Sequence, residues 1–184
     1  AGYTIFVAEV PSTLNEELLL EFMLARATSV EERTMLLQHA IDGIVGTFYN
    51  QVVFADYELE AHRMVERDEP VTADALGQLY SRTIDAYWGD AIARDERTAW
   101  TWARIPHFFQ APYYVYQYAT CMASTAALME AVGSADPVRR GDGVQRYLDL
   151  LRAGGSDHPM ALLKRAGVDL AQPTAIRALV SRFN

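Results

Sequence analysis

A carboxylate and a run of phenols are the groups in this chain whose types and spacing best suit chemistry. Glu9, Ser12, Thr13 and Glu16 stand at i, i+3, i+4 and i+7, which puts four polar side chains on one face of a helix. Their neighbours Ile5, Phe6, Val7, Val10 and Leu14 are apolar, so a carboxylate at Glu9 is expected to lose part of its hydration and to need a cation or several hydrogen-bond donors. A mixed, solvated helix face has the same spacing, and the pattern alone leaves both readings open. The second group is Arg104-Ile105-Pro106-His107-Phe108-Phe109-Gln110-Ala111-Pro112-Tyr113-Tyr114-Val115-Tyr116-Gln117-Tyr118, with four tyrosines in its last six residues. On a helix, Tyr113 and Tyr116 are neighbours three apart, and Tyr114 and Tyr118 share the adjacent stripe. Phenol O–H groups near a developing oxyanion are preorganised donors, and His107 on the preceding loop can donate to the same charge. An aromatic packing stripe with a capping histidine is the plainer reading of the same residues.

The elements that must position these groups read as helices. Apolar residues recur at helical spacing, as in Leu14, Leu18, Leu19, Phe22 and Met23, and no alternating strand pattern bounded by turn signals is found. The expected fold is all-α. A first helix is expected from about Phe6 to Ala27, with Thr28-Ser29 capping a long second helix from about Val30 to Glu66, where Gly43 and Gly46 mark close packing or a bend. Thr72 caps a helix through about Trp88 that ends near Gly89. The stretch from Asp90 to Gln110 is irregular, because Pro106 and Pro112 bracket His107. A helix from about Pro112 to Val132 follows, then shorter ones from about Pro137 to Ala153, Pro159 to Ala166 and Pro173 to Phe183. No repeat or linker divides residues 1–184, so a single helical unit is expected.

Composition narrows the partners. The formal net charge of -8 argues against nucleic acid, whose binding needs clustered Lys and Arg. No apolar run has the length to span a bilayer and no signal segment opens the chain, so no membrane partner and a cytoplasmic location are expected. Cys121 is the sole cysteine, which excludes an intrachain disulfide, and its apolar setting marks it as a core residue rather than a nucleophile. The opening Ala1-Gly2-Tyr3 lacks an initiator Met and leads straight into an apolar stretch, so the natural protein is expected to continue upstream.

Two blocks carry a resemblance. Tyr3-Thr4-Ile5-Phe6-Val7-Ala8-Glu9-Val10-Pro11-Ser12-Thr13-Leu14-Asn15-Glu16 resembles the segment after the zinc helix of oligoendopeptidase F, and the wider thimet oligopeptidase family has a similar Glu-x-Pro-Ser stretch. Arg104 to Thr120 resembles that family's active-site histidine and tyrosine region. Weaker similarities at Phe54-Ala55 near His62, Gly154-Gly155-Ser156 and Leu163 to Asp169 extend the resemblance over nearly the whole chain. It implies the C-terminal part of a zinc endopeptidase acting on short peptides, in which an H-E-x-x-H motif supplies two His ligands and a general base. Glu9 then matches the third protein ligand, His107 and Tyr116, with Tyr113 close by, match residues that bind substrate and stabilise the oxyanion, and Glu16 is a weaker candidate supporting the metal site.

The chain also departs from that family. None of His39, His62, His107 and His158 lies in an H-E-x-x-H motif, so the base and two ligands are expected upstream of Ala1, and this piece alone is expected to be inactive and to self-associate through the surface it would otherwise bury. Phe109 stands where relatives often have tyrosine, and the tyrosine loop is shorter than the glycine-rich version of thimet oligopeptidase, leaving the division of labour between Tyr113 and Tyr116 open. A di-iron bundle is disfavoured, since Glu58 and His62 are four apart rather than three and no second copy exists. A non-enzymatic helical interaction module is the main alternative. Asp56, Glu58 and Glu60 read as a solvated or locally paired face, and His62 and His158 carry no assigned role.

Overall fold

The computed structural model describes residues 4–93 and 95–183; Tyr3, the first residue of the resembling segment, lies outside them. The described residues contain helices and no strands, as the apolar periodicity requires. They fall into two compact units, Ala1–Phe48 with Gln117–Asn184, and Tyr49–Tyr116.

In the first unit α1 (Ile5–Leu24) runs uninterrupted through Pro11 and buries Val7, Val10 and Leu14. Helix α2 (Val30–Ile44) begins where Ser29 Oγ accepts the N–H of Glu32, with Glu31 and Glu32 in the favourable first turn. The central element is α6 (Tyr116–Val132), whose residues from Cys121 to Ala126 are all buried, the pattern of a helix enclosed on every side. It is tied to α1 by two side chains one turn apart. Cys121 Sγ meets the carbonyl of Phe6 at 3.4 Å, and Thr125 Oγ1 donates to that of Val10 at 3.3 Å. Helix α7 (Pro137–Ala153) has Pro at its start and Asp136 as its cap; α8 (Pro159–Ala166) ends at Gly167, whose φ of 101° is the left-handed conformation that glycine accepts most easily. Helix α9 (Thr174–Phe183) is fastened to α1 by Arg182, which bonds Glu17 at 2.7 Å and Glu21 at 3.1 Å.

The second unit is built on α3 (Asn50–Glu66) and α4 (Ala73–Trp88). Thr72 caps α4 and Gly89, at φ 51°, ends it, both as expected. The core gathers Val53, Tyr57, Met64, Leu79, Tyr80 and Ile84. Tyr57 is its hub, with ring centroids 5.3 Å from Tyr80 and 5.2 Å from Phe108; burial pushes its phenol well above the usual tyrosine range. After α4 come a 3-10 stretch, Thr98–Arg104, and the single turn α5 (His107–Gln110), so the proline-bracketed segment is irregular as its sequence requires.

Two expectations are corrected here. The run from Val30 to Glu66 is divided by a π turn, Val45–Tyr49, which contains Gly46; a Cβ at Gly43 or Gly46 would meet nothing within 4 Å, so neither marks close packing. Helix α6 starts at Tyr116 rather than near Pro112. Residues 111–115 form a turn, because Tyr113 has φ 58°, in the left-handed region that a helix cannot contain.

Candidate functional site

Glu9 sits half-buried on α1 between the fully buried Val7 and Val10. Its carboxylate has no hydrogen-bond or ion-pair partner among the described residues. The Cys121 thiol lies near enough to feel its charge: burial first, and Glu9 second, push that thiol up to about 12. An unpaired, partly desolvated carboxylate is the kind of donor a divalent cation takes up, so Glu9 fits a ligand's role. It is one donor, and among the described residues no three His, Cys, Asp or Glu side chains gather into a metal cluster. Glu16, two turns on, is exposed.

His107, Tyr113 and Tyr116 belong to the second unit. His107 is half-buried on α5, and its ring stacks on Tyr114, with centroids 5.2 Å apart and planes at 16°. Tyr114 was expected beside Tyr118 on a helical stripe; the turn at 111–115 removes that stripe. Tyr113 and Tyr116 are 45% and 41% exposed, so both are accessible in this chain, while Val115 between them is 1% exposed and anchors the turn.

The conformation of Tyr113 is held from α3. Glu58, expected on a solvated or locally paired face, is 3% exposed, and its Oε1 accepts the Tyr113 N–H at 2.8 Å. Holding a tyrosine in a left-handed conformation costs about 1–3 kcal/mol. Leaving the buried Glu58 oxygen and the Tyr113 N–H without each other would cost about 1–3 kcal/mol per unsatisfied group, enough to offset that cost. His62, one turn beyond Glu58, packs its ring on Tyr113 with centroids 4.6 Å apart, and its Nδ1 lies 2.8 Å from the Glu58 carbonyl. That contact makes Nδ1 the protonated nitrogen when the ring is neutral. Glu58 and His62 line a mostly apolar cavity of about 190 Å³ with Tyr57, Trp102 and Phe108.

Glu58 and His62 are thus the residues the sequence reading passed over. The signal was present: Phe54, Tyr57, Ala61 and Met64 mark the buried stripe of α3, and Glu58 stands four residues after Phe54 and three before Ala61, on that stripe.

The described residues thus form an all-α scaffold, with a half-buried carboxylate on α1 and, separately, a histidine on α5 followed by a tyrosine turn. The model for peptidase family M3 matches residues 1–180, and the chain belongs to that family. The chain is 40% identical over 183 residues to oligopeptidase PepF of Bacillus subtilis, covering 99% of this chain and 26% of the relative. It is 33% identical to an oligoendopeptidase F homolog of Borreliella burgdorferi, covering 99% and 30%. Among solved structures, oligoendopeptidase-F from Enterococcus faecium superposes with TM-score 0.88 at 36% identity, covering 98% of this chain and 34% of that one. A putative peptidase from Chlamydophila abortus gives 0.89 at 35%, covering 100% and 30%. The chain therefore spans about a quarter to a third of the length of the proteins it matches, and the resemblance read from its two blocks holds across its full length.

Proposed function

We propose that residues 1–184 form the C-terminal portion of the catalytic domain of a cytoplasmic zinc-dependent oligoendopeptidase that hydrolyses internal bonds of short peptides. The observation that carries the proposal is the match to peptidase family M3 over residues 1–180. The unpaired carboxylate of Glu9 and the exposed phenols of Tyr113 and Tyr116 support it in detail.

In this reading Glu9 is the third protein ligand of a zinc ion whose two histidine ligands and general base lie in an upstream H-E-x-x-H segment. Zinc, when bound, acidifies water and polarises the peptide carbonyl. The residues of this chain do the rest. Glu9 offers a carboxylate already stripped of part of its water, so little hydration is lost on ligation. Tyr116 and Tyr113 each have an O–H that can donate to the oxygen of the scissile carbonyl as it gains charge, and His107 can donate to the bound peptide. Glu16 supports the metal site from farther along α1. The isolated chain lacks the base and two ligands, so it neither retains zinc nor cleaves peptide.

The test is metal content and peptide cleavage of the complete enzyme, measured beside this chain and beside Glu9→Gln. The complete enzyme is expected to hold zinc and cut short peptides within the chain, Glu9→Gln to lose most of both, and the isolated chain to show neither. Full zinc occupancy with normal turnover in Glu9→Gln refutes the ligand assignment.

A further inference from the structure

We propose that Glu58 is a positioning residue. Its carboxylate fixes the backbone of Tyr113 in the left-handed conformation and thereby sets the direction in which the phenols of Tyr113 and Tyr116 meet the substrate. The geometric part stands by itself, and its catalytic consequence rests on the peptidase reading above.

Three contacts define the device. The first is the 2.8 Å bond from the Tyr113 N–H to Glu58 Oε1, which joins residues 55 apart in sequence. It is the only hydrogen bond of this carboxylate among the described residues. The second is the His62 ring, set by its own bond to the Glu58 carbonyl and packed on the Tyr113 ring. The third is Val115, whose buried side chain pins the other end of the turn. Glu58 itself is immobilised, because α3 buries Val53, Tyr57 and Met64 around it. Without an acceptor at this place a non-glycine residue returns to negative φ. The peptide after Tyr113 then rotates, and residues 114–116 are carried with it.

The length of the side chain, rather than its charge, should matter. Glutamine keeps an acceptor oxygen at the same reach, whereas aspartate keeps the charge and falls one methylene short. The experiment compares Glu58→Gln, Glu58→Asp and Glu58→Ala in the complete zinc-loaded enzyme, with two readouts. Amide exchange of the segment 111–116 reports the backbone hold without reference to activity. Steady-state kinetics on a short peptide, corrected for zinc content, reports the consequence. E58Q is expected to keep slow exchange and a kcat within about threefold of the parent, because the amide oxygen still accepts the Tyr113 N–H. E58D and E58A should exchange faster and lose about 10- to 100-fold in kcat with KM little changed. Unaltered exchange in E58A overturns the backbone hold. Faster exchange with unchanged kcat overturns the positioning role, and so does a charge-dependent pattern in which E58D equals the parent while E58Q fails. E58Q and E58D preserve the packing if E58A does not fold. If the parent enzyme shows no zinc-dependent cleavage, the peptidase reading and the positioning role fail together, while the exchange arm still tests the backbone hold.

Discussion

Replacing Gly143 by alanine tests how closely α7 approaches α6 in the first unit. A Cβ built at Gly143 would lie 2.8 Å from both the carbonyl carbon and the Cβ of Ala131, and 2.9 Å from the amide nitrogen of Val132. Two of those atoms are backbone of a buried helix, so no side-chain rotation can make room. Alanine in mid-helix gains about 0.8–1.0 kcal/mol over glycine from propensity. Forcing an extra carbon into a packed contact costs about 1–3 kcal/mol, and contact with backbone belongs at the upper end. The clash therefore wins, and Gly143→Ala should destabilise by roughly 1–2 kcal/mol after the two effects are combined. Gly141 supplies the control, since it lies in the same helix with nothing within 4 Å of a Cβ. There only the propensity gain remains, and Gly141→Ala should stabilise by about 0.5–1 kcal/mol. Urea unfolding followed by helical circular dichroism measures both. With a denaturant slope of about 1–3 kcal/mol/M the two midpoints should separate by on the order of 1 M. Equal midpoints for the two variants would refute the close approach of these helices.

Tyr116→Phe in the complete enzyme should lower kcat by about a hundredfold or more while changing KM little, because the phenol acts on charge that forms only during attack; steady-state kinetics showing a KM effect alone would contradict that role. Cys121 should resist a thiol reagent at pH 8 in the folded chain and react on unfolding, as its burial and raised pKa demand. The unfolded thiol ionises near pH 9 and the folded one near 12, so its contribution to stability is intact below pH 9 and declines as the pH rises toward 12. Alkaline unfolding should therefore be shallower for Cys121→Ala. The chain studied alone should self-associate, since Leu19, Phe22 and Met23 on α1 and Met35 and Ile41 on α2 are exposed. Sedimentation velocity across a concentration series, with dye binding, checks this, and a monomer without dye binding counts against it.

What the sequence reveals about the fold is mostly punctuation. Ser29 and Thr72 cap helices because a short hydroxyl satisfies an orphan N–H, and Pro137 and Pro159 stand where a missing N–H does no harm. Gly89 and Gly167 stop helices at positive φ. These are local decisions, made within four or five residues, and each boundary falls where the local chemistry puts it. The π turn at Val45–Tyr49 escapes the same reasoning. Buried residues carry on through it at Ile44, Phe48 and Val53, spacings of four and five, close enough to helical spacing to read as one helix.

The candidate site is legible in its residue types and illegible in its geometry, and one contact accounts for the difference. Pro112 is a good first-turn residue, and the tyrosines after it have helical spacing, so a windowed reading starts α6 there. Glu58 sits among Asp56 and Glu60, so the same reading puts it on a solvated or locally paired face. Both errors are the two ends of the Glu58–Tyr113 hydrogen bond. A carboxylate in α3 can be buried because it receives an N–H from outside its own helix. That N–H is available because Tyr113 is not helical. Neither end makes sense alone, and no window shorter than their separation contains both. Chains tend to break local rules where another requirement holds the backbone in place. Here the break falls inside the segment whose histidine and tyrosines resemble a catalytic set, so a hold on the backbone at Tyr113 is also a hold on where those donors point.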